Sequence, residues 1–314
     1  MSRDADFVSA LQAAMERSPG IDGDDGLKDF LQSRGFAFAA RSATNLRLLA
    51  QMVPVQILHN IAETALSTPT PDMALNGLER IGSSVPREDL LALCERPERL
   101  AQLLAVCGSS SFLTINICRE PCLFRSLFGE GGIETGRNEE EMLAALRALV
   151  DDETGHQELF PILRRFKVAE VLRIAARDLN GLATLEEVTA ELSALASAVL
   201  QIACEVTRRS LVAEYGIPFI KEPEGDVEAE LTVIGMGKFG GRELNFSSDI
   251  DIIYIYSSDQ GETTGIDDGL GGRKGMLPLH TFFVRMAEMV TRVVSQVTED
   301  GFAFRVDLGL RPEG

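Results

Sequence analysis

The sequence predicts an α+β protein: a large all-helical region over residues 1–220, then a small mixed-sheet unit over residues 221–314 that is cut short at its C-terminal end. Three observations carry this reading. Up to about residue 220, Leu, Ala, Glu and Arg dominate and apolar positions recur at spacings of three and four. From about Ala229 the apolar residues fall instead into short β-branched runs separated by glycine-rich turns. At 314 residues the chain is long enough for two units of ordinary size.

Within the helical region, prolines at 19, 54, 69, 71, 86, 97, 121 and 161 divide the chain into short helices, because proline suits a first helical turn and breaks an interior. Asp72 and Asn138 read as helix starts, and residues 129–136 as a loop. The helices then lengthen over 157–179 and 185–215, the second ended by Gly216 and Pro218. Beyond it, 231–234 and 250–256 are expected strands, 277–299 a helix and 302–310 a final strand. Residues 257–275, rich in Gly, Asp and Thr, are expected to lack regular structure and to be mobile.

Composition narrows the function. No apolar run approaches the ~20 residues of a membrane span, and the acidic N-terminus lacks a signal-peptide pattern, so a cytoplasmic protein without a membrane partner is expected. A net charge of −18 repels nucleic-acid backbones and argues against DNA or RNA binding, though not against a nucleotide in a small basic pocket. Five cysteines without paired spacing indicate free thiols, with Cys118 and Cys122 expected in the core. His59, His156 and His280 are far apart in sequence and read as structural.

The chemistry centres on Ser247-Ser-Asp-Ile-Asp-Ile-Ile-Tyr254. On a strand, Asp249 and Asp251 project to one face and Ile250, Ile252 and Tyr254 to the other. Two crowded carboxylates repel each other and resist desolvation, and a divalent cation removes that cost. Upstream, Gly235-Met-Gly-Lys-Phe-Gly-Gly241 offers backbone N–H groups to a phosphate. Lys238 and Arg242 add charge there, and Ser247 and Ser248 add hydroxyls. Downstream, Arg305, Asp307, Gly309 and Arg311 share one face of the last strand, so Asp307 supplies a third carboxylate. Such a set suits two-metal displacement at phosphorus.

Residues 235–240 also fit G-x-G-x-x-G. A dinucleotide site needs a crossover helix within a ~30-residue βαβ unit, and only residues 241–248 separate the glycines from the next strand. A P-loop fails because no Ser or Thr follows Lys238.

Strand, glycine turn, Ser-Asp-Ile-Asp and a downstream Asp resemble the DNA polymerase beta-like nucleotidyltransferase fold. The longer string from Gly235 to Asp251 closely resembles the N-terminal half of bifunctional glutamine synthetase adenylyltransferases. Leu163-Arg-Arg-Phe-Lys167, Glu170 to Leu179, Cys107 to Leu113 and Arg119-Glu-Pro121 are similar to further family segments, so the resemblance covers roughly residues 75–314. It implies a bacterial cytoplasmic enzyme and makes 221–314 a nucleotidyltransferase palm. It implies removal of AMP from adenylylated glutamine synthetase by phosphorolysis, with inorganic phosphate as co-substrate and ADP as product. The C-terminal half of such a chain performs the opposite transfer, and PII signalling proteins set the balance. On this reading Asp249, Asp251 and Asp307 hold Mg²⁺ or Mn²⁺. Gly235, Gly237, Lys238, Gly240, Gly241, Arg242, Ser247, Ser248, Arg305 and Arg311 serve phosphate groups.

Gly309 departs from the arginine usual in the family at that position, which bears on phosphate affinity. The basic positions Arg164, Arg165, Lys167, Arg173 and Arg177 read as a solvated, ion-paired helix face, with a contact surface for the site or partner as the alternative. Two other functions fit the same residues: a regulatory half that binds PII or glutamine synthetase without catalysis, and a stand-alone nucleotidyltransferase.

Overall fold

The computed structural model describes residues 25–129, 131–223 and 225–309, together with Ser9, Leu11 and Ala13. Arg311 and the end of the expected 302–310 strand lie outside the described residues. The architecture is α+β, with many helices and small mixed sheets. The chain forms two compact units, Met1–Thr135 with Ala175–Ala183, and Gly136–Ile174 with Thr184–Gly314. The compositional break near 220 therefore falls inside the second unit.

The first unit contains α1 (Asp25–Arg34), α2 (Ala39–Leu49), α3 (Val55–Leu66), α4 (Pro71–Gly82), α5 (Arg87–Cys94), α6 (Pro97–Ser109), α7 (Ser111–Arg119) and α8 (Cys122–Phe128). Prolines start these helices as the sequence suggests: Pro71 and Pro97 occupy the first turns of α4 and α6, and Pro54 and Pro86 immediately precede α3 and α5. Helix α4 packs on α2 and α6 around buried leucines. The residue before α2 gives it no side-chain cap. Asp72, in the first turn of α4, supplies one from across the interface. Its carboxylate accepts the N–H groups of Ala37 (2.9 Å) and Phe38 (3.1 Å) and the Ser42 hydroxyl (2.6 Å). The expected core location of two thiols needs correction: Cys118 is half-buried and Cys122 exposed. They flank the break at Glu120 and Pro121, where the chain turns between α7 and α8 at the surface.

In the second unit, α9 (Glu139–Arg147) starts from a capping box between Asn138 and Glu141. Helix α10 spans His156–Leu179, and α11, Leu185–Tyr215, is capped by Thr184 and Glu187 and ends at Gly216. The basic face of α10 is not a solvated one. Arg164 and Arg173 are buried, as is Arg177 in the part of α10 that belongs to the first unit; Arg165 is exposed and Lys167 half-buried over the Phe302 ring. Arg173 donates to Glu170 (2.8 Å) and to Glu191 of α11, and Arg137 joins both acids. Within this group of four the charges alternate, so Arg173, Glu170 and Glu191 each have an opposite neighbour. An 18-residue stretch of α11 is apolar enough to span a bilayer, contrary to the composition reading, but 67% of it is buried inside the fold.

Three sheets follow. Strands β1 (Pro218–Ile220), β2 (Val227–Glu228) and β5 (Glu262–Thr263) form one, in the order β2-β1-β5. Strands β3 (Leu231–Gly235), β4 (Ile250–Tyr256) and β8 (Val306–Asp307) form the second, in the order β3-β4-β8. Strands β6 (Ile266–Asp267) and β7 (Arg273–Lys274) form a hairpin. Three of these short strands lie inside 257–275, so that segment is not without regular structure. Asp267 accepts the Gly269 N–H, and Asp268 accepts those of Leu270 and Gly272, which closes the hairpin turn. Helix α13 is Leu279–Ser295, shorter than expected at both ends; it packs on α11 and buries Phe282, Met286 and Val290. Strand β8 is likewise only two residues long among those described.

Each histidine has a polar neighbour: His156 bonds Thr207, His280 bonds Tyr256 and His59 lies 3.5 Å from Glu63. Tyr254 of β4 shares a hydrogen bond with Thr291 of α13 (3.0 Å). Burial pushes its pKa up to about 12.

Two expectations follow from these contacts. Asp72→Ala leaves buried donors unpaired and is expected to cost about 1–3 kcal/mol, read as a lower urea midpoint; an unchanged midpoint refutes the capping role. Tyr254 keeps its proton in the folded state above the ~10 of an unfolded tyrosine. Between pH 10 and 12 the native state therefore binds more protons, and stability falls as pH rises. Tyr254→Phe is expected to flatten that slope in denaturation curves taken across the window.

Candidate functional site

The alternation of β4 sets the site. Ile250 and Ile252 are buried at 0% and 1% exposure, which anchors one face of the strand. Asp251 takes the opposite face and is half-buried, and Asp249 stands exposed just before the strand. Strand β8 runs parallel to β4, pairing Ile250 with Val306 and Asp251 with Asp307. Register partners on adjacent strands share a face at a Cα spacing of ~5 Å, so Asp251 and Asp307 are side by side. The Ile250 N–H donates to the Arg305 carbonyl (2.9 Å) and fixes that register.

The remaining carboxylate contacts are local. Arg305 Nε donates to Asp249 Oδ1 (2.5 Å), and its Nη2 to the Ser247 carbonyl (3.3 Å). Asp307 Oδ1 accepts the Gly309 N–H (2.7 Å). Among the described residues, no group of three or more His, Cys, Asp or Glu side chains is gathered as a metal site. Two acids are thus in register, while the third is turned to a cation of its own chain.

The glycine turn lies against this pair. Strand β3 leads into α12, a single turn over Gly237–Gly240, and the Met236 N–H donates to the Asp251 carbonyl (2.8 Å). Gly237 has φ +52°, and a Cβ there would lie 2.6 Å from Asp251 Oδ2. Only glycine lets the backbone pass so close to that carboxylate. Gly235 and Gly240 are also packed positions: a Cβ would meet the Phe239 ring at 2.7 Å and the Gly235 carbonyl at 2.5 Å. The G-x-G-x-x-G spacing therefore serves close packing of one short turn. As first-turn groups, the N–H donors of Gly237, Lys238 and Phe239 have no acceptor within the helix.

The other candidate residues divide. Lys238 and Ser247 are exposed beside the turn. Arg242, at φ 58°, is turned to Glu139 of α9 (2.8 Å). The Ser248 hydroxyl donates to Asn245 Oδ1 (2.7 Å), so it braces the loop. Gly241 closes α12 through its N–H to the Gly237 carbonyl (3.0 Å). Sequence reasoning did not find the anchor of this loop. Leu244 is 1% exposed, and its N–H donates to the Ser193 hydroxyl of α11 (3.3 Å). A lone leucine in a polar stretch was the available signal.

Comparison with known proteins places the chain in a family. The family described as glutamate-ammonia ligase adenylyltransferase matches residues 100–314. The chain belongs to that family. Relatives named bifunctional glutamine synthetase adenylyltransferase/adenylyl-removing enzyme include one from Nitrosococcus oceani, 35% identical over 242 residues (76% of this chain, 24% of the relative). One from Pseudomonas aeruginosa is 35% identical over 252 residues (78% and 25%). One from Burkholderia pseudomallei is 44% identical over 152 residues (48% and 15%). The chain spans about a quarter of the length of the first two relatives.

Gly237→Ala forces a left-handed backbone on alanine and drives a methyl group into Asp251. The expected cost is about 1–3 kcal/mol, with displaced resonances at Asp251 and Asp307 in an NMR comparison. Wild-type stability and unshifted resonances would remove the steric role given to this glycine.

Proposed function

We propose that this chain is the adenylyl-removing half of a bifunctional glutamine synthetase adenylyltransferase. The observation that carries the proposal is the register pairing of Asp251 with Asp307 beside the Gly237 turn. The resemblance of residues 235–251 to the first-half form of the family motif favours removal over attachment. In the reaction, an oxygen of inorganic phosphate attacks the phosphorus of AMP on a tyrosine of glutamine synthetase. A P–O–P bond forms, the bond to the tyrosine oxygen breaks, that oxygen takes up a proton, and ADP leaves.

The residues present fit a hard divalent cation. Asp251 and Asp307 are register partners on one face of the sheet, and Asp249, two residues before Asp251, is paired with the Arg305 guanidinium. Asp251 and Asp307 would hold Mg²⁺ or Mn²⁺, joined by Asp249 once Arg305 lets go. The ion would neutralise charge developing on the transferred phosphoryl group. This chain's own groups do the rest. The first-turn N–H groups of α12 and Lys238 receive phosphate oxygens. Arg305, exposed and two residues from Asp307, balances phosphate charge when it leaves Asp249. Arg242 and Ser247 add donors at the rim, Arg311 is assigned to phosphate by the family resemblance alone, and glutamine synthetase and a PII protein are the partners.

The Asp249–Arg305 pair and the unassembled third acid favour one second reading, a regulatory half that binds a partner without turnover. One assay separates the two. Adenylylated glutamine synthetase, phosphate and Mg²⁺ are mixed with the chain, and ADP is measured. Release of ADP that falls at least about 100-fold in Asp251→Asn, with the melting temperature unchanged or raised, is expected. Partner binding without ADP would replace catalysis by the regulatory reading.

A further inference from the structure

Arg164 is the largest side chain that is fully buried among the described residues, and it has no carboxylate within ion-pair distance among them. Its charge is met by carbonyl groups instead. Nε donates to Gly301 (2.8 Å), Nη1 to Phe160 (3.0 Å) and Val293 (3.2 Å), and Nη2 to Gln296. The guanidinium also lies over the Phe160 ring at 4.9 Å. Val293 and Gln296 sit at the C-terminal end of α13, where the unpaired carbonyls carry partial negative charge. Gly301 closes the turn with Thr298 through paired backbone bonds of 2.8 and 3.0 Å.

That turn opens directly onto the site. The N–H groups of Ala303 and Phe304 both donate to the Val294 carbonyl, at 3.1 and 3.2 Å. The next residue is Arg305, whose carbonyl takes the Ile250 N–H and whose guanidinium holds Asp249. Two residues on is Asp307, in register with Asp251. One buried fork therefore ties the end of α13 to the turn at Gly301, four residues before Arg305, the residue that precedes β8. Lysine cannot replace it, since a compact ammonium lacks the planar spread of donors and is strongly hydrated.

We propose that Arg164 is a positioning residue for Arg305 and Asp307: it fixes the register of β8 on β4, and through it the spacing of the two carboxylates. The role in metal uptake rests on the reading of the site given under the proposed function; the clasp itself does not. It makes Arg164 part of the site's machinery although it lies on α10, outside the sheet.

The test uses the chain with Arg164→Lys and Arg164→Met, and Asp72→Ala as a control destabilised in the other compact unit. Hydrogen exchange is read at Ile250, Ala303 and Phe304, and at Ile253 in the β3–β4 ladder. At least about tenfold faster exchange at the first three, with Ile253 unchanged and no such pattern in the control, is expected. Titration with Mn²⁺ should then show at least about tenfold weaker binding in Arg164→Lys than in wild type or control. Unchanged exchange overturns the clasp. Faster exchange with wild-type Mn²⁺ affinity reduces Arg164 to a stabilising residue and overturns the positioning role. No Mn²⁺ uptake by wild type, or uptake that survives Asp251→Asn, overturns the site reading and the positioning role with it, while exchange still reports on the clasp. Should both Arg164 variants unfold, wild type decides: the Arg164 Nε–H and the Ile250 N–H must open with the same free energy. An Nε–H that exchanges independently overturns the proposal.

Discussion

Asp251 and Asp307 stand in register on neighbouring parallel strands, and the rest of the second unit is arranged around that unfavourable pair. Two carboxylates so placed repel each other, and neither can turn inward without losing its hydration. The opposing force is apolar. Ile250 and Ile252 fill the other face of β4, and Tyr254 is bonded to α13. The strand cannot slip by one residue without exchanging those isoleucines for aspartates, so burial on one face fixes charge on the other. Arg305 then lowers the local charge by taking Asp249, and Gly309 donates to Asp307. Folding thus leaves one of the nearby acids, Asp249, already neutralised by an arginine of the same chain.

Much of the fold was legible in the sequence because its signals are local. Helix α11 and strand β4 begin and end where periodicity, Gly216 and the β-branched run place them. Pro54, Pro71, Pro86 and Pro97 mark helix starts by the constraint on φ alone, whereas Pro161, also expected to divide helices, lies inside α10. Errors arose where a partner far along the chain decides. Strand β5 exists because β1 lies beside it, and two residues, Glu262 and Thr263, are too short a run to read as a strand. Strand β8 is short because only Val306 and Asp307 find a neighbour among the described residues. The basic residues of α10 looked solvated because charge implies water. The burial of Arg173 depends on Glu170 and Glu191, and that of Arg164 on backbone carbonyls of Val293, Gln296 and Gly301, partners that are invisible in one dimension.

The site divides in the same way. Asp249, Asp251, Asp307 and the glycines were readable from spacing, since parity on a strand and tightness of a turn are properties of neighbours. What their side chains bond to was not. Arg242 faces Glu139, 103 positions away, and Arg305 faces Asp249, 56 positions away. Ser248 was grouped with phosphate donors by residue type, and the Asn245 amide claims its hydroxyl. Phe239, Leu244 and Ser193 escaped notice because their contribution is packing and a single backbone bond, which leave no mark of chemistry in the sequence.

Helix α11 runs for 31 residues, about 46 Å at 1.5 Å per residue. Near its start Ser193 holds the loop after the glycine turn, and further along Arg208 is paired with Glu228 of β2. The helix is therefore a ruler between two sheets, with marks 15 residues and about 22 Å apart. A change of residue leaves the marks where they are. An added or lost residue between them turns one by about 100° against the other, which swings an anchored sheet off its seat. The composition of that interval can therefore vary within the limits of packing, but its length is set by the two anchors it joins, in the way a gear's tooth count outlasts its metal.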